Sequence, residues 1–173
     1  MLNTFYSTIF KPGEVPLTPM ISLSIGLLTL LVLTLNTAGA AHFGIFGFVL
    51  LLLLFCGAGL LGCFWLSTSL HFCAQFLGGQ GTSSQTFQAV LRGGWPLLLS
   101  GPALSLTKLS PALGNLFTLS LILGALITVA GSVRQVHQTN WAIATVSLAL
   151  TLGCSVLALF GLILWPLMLI GGL

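Results

Sequence analysis

Few side chains in this sequence are able to carry acid–base or nucleophilic chemistry. Glu14 is the single carboxylate among 173 residues, so a carboxylate pair for general acid–base catalysis is excluded within one chain. A Ser–His or Cys–His nucleophile needs a geometry that no motif here indicates. We therefore predict a protein that is not an enzyme and that has no catalytic residue, metal or cofactor.

Two of the three histidines are the main candidates for ligand chemistry. His71 and His137 are both predicted at the membrane boundary on one side, at a depth similar to that of Gln75 and Arg134. A neutral imidazole binds metals and pigments, but hydrogen bonding at the interface is the ordinary role of such residues and is our prediction. A subunit that binds an intramembrane cofactor through one histidine is the alternative.

The most polar loop is the segment Gly78-Gly-Gln-Gly-Thr-Ser-Ser84. Successive backbone N–H groups in such a loop can form a nest that binds an anion or a lipid headgroup, and Arg92 would add positive charge. A flexible turn followed by an arginine that extends to the membrane surface is the alternative. The candidate partner or headgroup site consists of Gly78, Gly79, Gly81, Arg92, Arg134 and His137.

A second glycine motif, Gly57-Ala-Gly-Leu-Leu-Gly62, has the glycine spacing of a dinucleotide fingerprint. No strand precedes it and no acidic residue follows it, which excludes that interpretation. Small residues inside a membrane span allow two helices to approach closely. We predict that Gly57, Gly59 and Gly62 are helix-packing positions.

The elements that hold these residues are predicted to lie in a membrane. Hydrophobic residues make up 57% of the chain and charged residues 3%, whereas soluble domains carry about 25% charged residues. So few charges cannot keep a globule of this size in water, and the lipid bilayer is the predicted solvent. The basic residues are scattered, which excludes the cluster that nucleic-acid binding needs.

The hydrophobic pattern predicts an all-α polytopic bundle of about five transmembrane helices. Residues 1–18 are predicted as an N-terminal segment that holds a short interfacial amphipathic helix, and residues 19–173 as the transmembrane domain. The predicted spans are about 19–36, 43–77, 85–106, 115–133 and 141–170. Glycine and proline at 93–96 and 101–102 predict a kinked or broken third span. The fifth apolar stretch exceeds one crossing, which predicts a tilt or a break.

The basic residues also predict the orientation. With a cytoplasmic N-terminus and five spans, Lys11, Arg92 and Arg134 lie inside and Lys108 lies outside. Positive charge favours the cytoplasmic side. We predict a cytoplasmic N-terminus and a C-terminus on the opposite side.

Three segments, in order, resemble the Yip-domain family of multispanning membrane proteins. They are FYSTIFKPGEV from Phe5 to Val15, LGGQGTSSQTFQAVLRGGWP from Leu77 to Pro96, and VRQVHQTNWA from Val133 to Ala142. The resemblance implies five spans and a cytoplasmic N-terminus. Acidic and aromatic residues are fewer than in that family, and the sequence shows no counterpart of the eukaryotic N-terminal extension. The chain therefore resembles the compact bacterial-type members, and GTPase binding is not implied.

These features together predict a scaffold, assembly factor or accessory subunit that binds other integral membrane proteins or lipids. A second copy of the chain is included among the predicted partners. A passive pore or small-solute permease with Ser/Thr-lined faces is the first alternative, and the histidine cofactor subunit is the second. Coupled transport is disfavoured, because such transporters keep ionisable groups near the membrane midplane.

Overall fold

The structure, a computed structural model, describes residues 19–40 and 44–171. These residues form six α-helices and one 3-10 helix, and they contain no strand. The helices are α1 (Pro19–Ala40), α2 (Ile45–Phe76), α3 (Ser83–Gly93), α4 (Ser100–Leu109), α5 (Pro111–Val136) and α6 (Trp141–Gly171), with the 3-10 helix Trp95–Leu99 between α3 and α4. The predicted all-α class is confirmed. The predicted N-terminal segment, residues 1–18, lies outside the described residues.

Four helices, α1, α2, α5 and α6, are long and apolar enough to cross a membrane. This confirms the prediction of an integral membrane protein. Helix α2 has 32 residues and α6 has 31, which is about 45 Å or more at 1.5 Å per residue against a hydrocarbon thickness of about 30 Å. Helix α6 has no break, so of the two predicted ways to absorb its excess length only a tilt agrees with this helix.

The segment between α2 and α5 contains the break predicted for the third span. Helix α3 ends at Gly93, and Pro96 lies at the start of the 3-10 helix that follows. Proline has no N–H to donate to the preceding turn, while the Leu97 N–H is bonded to the Gly94 carbonyl at 3.0 Å. Helix α4 then continues from Ser100, so the whole segment is a helix interrupted by one tighter turn.

Close contacts show how this broken segment runs. Along α5, Val129 lies against Gly93, Gly124 against Pro96 and Gly114 against Thr107, so the two segments are antiparallel. The bundle therefore has two ends. The histidine end contains His71, His137 and the loops after α2 and α5, and the lysine end contains Lys108, the end of α1 and the start of α5.

The bundle interior combines apolar and small polar side chains. Its apolar core comes from α2, α3, α5 and α6 and consists of Leu70, Ala74, Val90, Val129, Ala130, Val133 and Leu148. Buried hydroxyl groups bond back to their own helices, as in Thr34 to the Leu30 carbonyl at 2.8 Å and Thr151 to the Ser147 carbonyl at 2.8 Å. This local bonding satisfies the hydroxyl groups, so small polar residues allow close helix contact without exposing polar groups to hydrocarbon.

The glycines of α2 differ in what they contact. A Cβ added at Gly59 would overlap the Leu30 side chain of α1, whereas one added at Gly57 or Gly62 would meet nothing within 4 Å. Among the described residues Gly59 provides the predicted close approach, and helix packing at Gly57 and Gly62 stays a prediction.

We expect Gly59→Ala to be less stable than Gly57→Ala by about 1 kcal/mol, because the new methyl must displace the end of the Leu30 side chain at the α1–α2 contact. Gly57→Ala is the matched change in the same helix and in open space. It should stabilise by about 0.5–1 kcal/mol through helix propensity alone. Thermal unfolding of both variants in lipid nanodiscs measures the difference, and equal effects would contradict the contact.

Candidate functional site

His137 is the centre of a buried polar junction at the histidine end. Its side chain is 1% exposed. The Gly81 N–H donates to its Nδ1 at 3.2 Å, and its Nε2 lies 2.9 Å from the Thr86 hydroxyl oxygen. The Thr86 hydroxyl in turn donates to the Thr82 carbonyl at 3.0 Å. The histidine thereby connects the end of α5 to the glycine loop and to the first turn of α3.

These partners fix the protonation of the ring. Because the Gly81 N–H is a donor, Nδ1 must accept, so the proton of the neutral imidazole is on Nε2 and is donated to Thr86. A second proton on Nδ1 would face the Gly81 N–H. Burial lowers the pKa of His137 below its ordinary value, and the nearby His71 lowers it further. The junction is therefore built for a neutral histidine.

Two matching helix ends place the loop and the histidine together. Gly78, two residues after the end of α2, is in the left-handed region at φ 92°, and Gln138, two residues after the end of α5, is at φ 53°. After each end, an N–H bonds back to a carbonyl five residues earlier, from Gly79 to Ala74 at 2.8 Å and from Thr139 to Arg134 at 3.0 Å. This is the Schellman arrangement, which turns the chain sharply.

The backbone of the glycine loop makes its hydrogen bonds within the chain. The N–H groups of Gly78 and Gly79 bond to carbonyls of α2, that of Gln80 bonds to the His137 carbonyl at 3.2 Å, and that of Gly81 bonds to the His137 ring. The Thr82 N–H bonds to the Gln85 side chain at 3.2 Å. An anion nest needs N–H groups that point at the ligand. In the described part of the chain these N–H groups are used in internal bonds, so headgroup binding by the loop stays a prediction.

Two of the loop glycines have no room for a side chain. A Cβ at Gly79 would lie 2.7 Å from His137 Nδ1 and 2.9 Å from the Ala74 carbonyl oxygen. A Cβ at Gly81 would lie 2.6 Å from the Val136 side chain and 2.8 Å from its carbonyl oxygen. The glycines are required because backbone packs on backbone here.

His71 is the second imidazole of the junction. Its ring centroid lies 5.5 Å from that of His137, and its Nδ1 is buried with no hydrogen-bond partner in the described part of the chain. Within the same described residues, no three His, Cys, Asp or Glu side chains are placed to hold a metal ion. Because both nitrogens of His137 are bonded, the histidine cofactor alternative depends on His71.

The structure places the two arginines in different surroundings. Arg92 is wholly buried and lies ten residues beyond Thr82 along α3, about 15 Å at 1.5 Å per residue. Arg134 is exposed, and its guanidinium lies 5.3 Å from the Trp141 ring centroid in a cation–π contact. Of the predicted site, the glycines and His137 form one unit, while the arginines have separate surroundings.

Thr86 and Gln85 are junction residues that the sequence-based site did not include. Thr82 and Gln85 form a capping box, with the Gln85 N–H bonded to the Thr82 hydroxyl at 3.3 Å. A Thr three residues before a Gln is a known helix-start pattern, and it would have placed the start of α3 at Ser83. The pairing of Thr86 with His137 has no local pattern, since 51 residues separate them.

A groove on the outer surface lies between α2 and α6 and has a volume of about 530 Å³. Its lining is almost wholly apolar and comprises Leu61, Gly62, Phe64, Trp65, Ser155, Ala158, Leu159 and Leu162. The Trp65 indole N–H donates to the Ser155 hydroxyl at 3.2 Å across the two helices. Gly62 and Ala158 leave room along the groove for another helix.

Comparisons of this chain with protein-family models, with curated proteins and with solved structures give no match.

Proposed function

We propose that this integral membrane protein acts as a non-enzymatic accessory or assembly subunit that binds another membrane protein along the α2–α6 groove. The observation that supports this is the exposure of α2: in its most apolar stretch, no residue is buried against the described part of the chain. Ala58 and Gly62 are both exposed and four residues apart. Small residues at this spacing are typical of transmembrane helix pairs, because they let two backbones approach closely.

The groove also has the shape that a helix partner needs. Phe64, Trp65 and Leu162 supply large apolar side chains beside the small Gly62 and Ala158. Packing in lipid depends on such fitted contacts, since lipid chains are as apolar as leucine and exposure alone gives no attraction. A groove that is lined by small residues and bordered by aromatic rings therefore favours binding of a protein helix over contact with bulk lipid.

Membership of the compact Yip-domain proteins and a cytoplasmic N-terminus remain proposals. The three motifs quoted above support the first. For the orientation, Arg134 favours a cytoplasmic histidine end, whereas Lys108 favours a cytoplasmic lysine end. Arg92 is buried inside the bundle, so the bias toward a cytoplasmic histidine end depends on Lys11 together with Arg134.

The test is extraction of the tagged chain from its own membrane into polymer-bounded nanodiscs, without detergent, followed by particle mass and protein composition. We expect a partner at fixed stoichiometry. Gly62→Leu fills the groove and should lower the recovered partner at least about tenfold, which corresponds to about 1.4 kcal/mol. Gly153→Leu is the matched control, since Gly153 also faces open space but does not line the groove.

Three outcomes would contradict the proposal. A particle that contains a single copy of this chain and no other protein would show that the chain has no stable protein partner. Equal partner recovery from both variants would move the contact away from the groove. A particle that contains two or more copies of the chain would assign the face to a homo-oligomer instead.

A further inference from the structure

A second groove opens at the lysine end, on the side of the bundle formed by α1 and α4. Its volume is about 560 Å³ and its lining is partly polar, including Asn36, Ser105, Thr107 and Lys108. Lys108 and Ser105 are exposed. The Ser105 hydroxyl has no hydrogen-bond partner among the described residues. The polar groups here are therefore available to a ligand.

An apolar groove adjoins the first one, which is called the outer groove. It has a volume of about 490 Å³, shares Asn36 and Leu104 with the outer groove, and is lined mainly by apolar groups, including Leu33 and Ala103. The shared residues make the two grooves neighbours. The outer groove offers polar groups at the end of α4, and the adjoining groove offers a mainly apolar surface, so together they match the two parts of a membrane lipid.

Asn36 lies where the two grooves meet, and the two grooves are the compartments of one site. Its amide nitrogen donates to the Ser100 hydroxyl at 2.8 Å, which joins α1 to α4. Only one of the two amide hydrogens is used by this bond. Gly39 and Gly101 line the outer groove beside it, so no side chain of either residue fills the space.

The charge at this site has no counterpart in the described part of the chain. Glu14 is the only acidic residue of the sequence, and it lies outside the described residues. Lys108 is in the last turn of α4, where the helix dipole offers about half a negative charge. The ammonium group is thus partly stabilised in position and still able to bind an external anion.

We propose that the two compartments bind one phospholipid, with its phosphodiester at Lys108 and Ser105 and one acyl chain along Leu33, Ala103 and Leu104. A free phosphate ion would satisfy the cation but leave the apolar compartment empty. A neutral lipid would fill the apolar compartment but leave the cation unpaired. This lipid site does not depend on the proposed protein partner, because it lies on α1, α4 and α5 and shares no lining residue with the α2–α6 groove.

The test uses native mass spectrometry of the full chain titrated with dioleoylphosphatidylglycerol, dioleoylglycerol or inorganic phosphate. We expect one phosphatidylglycerol per chain, bound about tenfold more tightly than dioleoylglycerol, as a charge-assisted bond implies. Lys108→Gln should abolish that preference. Arg134→Gln, which removes the exposed cation of the histidine end, is the matched control and should leave the preference unchanged.

A second variant tests the apolar compartment. Thr118 is exposed and lines the apolar groove, so Thr118→Phe should fill that groove without disturbing the core and should lower phosphatidylglycerol affinity at least about tenfold. Unchanged binding by Lys108→Gln, equal loss in Arg134→Gln, unchanged binding by Thr118→Phe, or inorganic phosphate binding as tightly as the lipid would each overturn the proposal.

Discussion

Gly81→Ala is expected to lower the free energy of unfolding by about 3 kcal/mol. The added methyl would lie 2.6 Å from the Val136 side chain and 2.8 Å from the Val136 carbonyl oxygen. A side chain can rotate away, but the carbonyl belongs to the last turn of α5 and cannot move alone. The loop must therefore separate from α5, which also breaks the bond from the Gly81 N–H to His137.

Two other glycine substitutions distinguish steric overlap of the added methyl from strain in the backbone conformation. Gly78 has φ 92° and open space around its Cα, so Gly78→Ala should cost about 1–2 kcal/mol from the left-handed conformation alone. Gly153 is helical and in open space, so Gly153→Ala should not destabilise. Thermal unfolding in nanodiscs of one lipid composition orders the three variants. A Gly81→Ala protein as stable as Gly78→Ala would show that the loop does not pack on Val136.

The long helices were predictable because their ends coincide with composition changes. The apolar run assigned to 43–77 became α2, and the run assigned to 141–170 became α6. Helix α1 was placed about four residues too short. Asn36 and Thr37 look like a loop, yet Thr37 bonds to the Leu33 carbonyl at 2.9 Å and Ala38 is buried, so contacts inside the bundle carry the helix further.

The site was predictable only in part. Sequence placed His137 and the glycine loop at one membrane boundary, because both follow apolar runs, but boundary depth does not determine which residues meet. The bond from Gly81 to His137 spans 56 residues, and that from Asn36 to Ser100 spans 64. Arg92 shows the reverse case, since a charge expected at a span end is buried where the third span breaks.

His137→Phe is the second substitution with a large expected effect, and it should lower the free energy of unfolding by about 2–3 kcal/mol. Phenylalanine fills a similar space but accepts no hydrogen bond, so the buried Gly81 N–H loses its partner, and an orphaned buried donor costs about 1–3 kcal/mol. Thr86 keeps its bond to the Thr82 carbonyl. His71→Phe is the matched control, because His71 makes none of the bonds of the junction.

The same variant should remove a pH dependence. The pKa of His137 is lowered from 6.5 in the folded chain, chiefly by burial and further by His71. Below about pH 6.5 the unfolded chain binds a proton that the folded junction excludes. The free energy of unfolding is therefore highest above this pH and falls as the pH decreases through it. The wild-type melting temperature should decrease between about pH 7.5 and about pH 5.5.

His137→Phe should flatten this decrease, whereas His71→Phe should keep it at smaller amplitude, since one of the two causes of the lowered pKa is gone. If His137→Phe melts with the same pH dependence as the wild type, protonation acts elsewhere, and the neutral histidine is not what holds the glycine loop to α5.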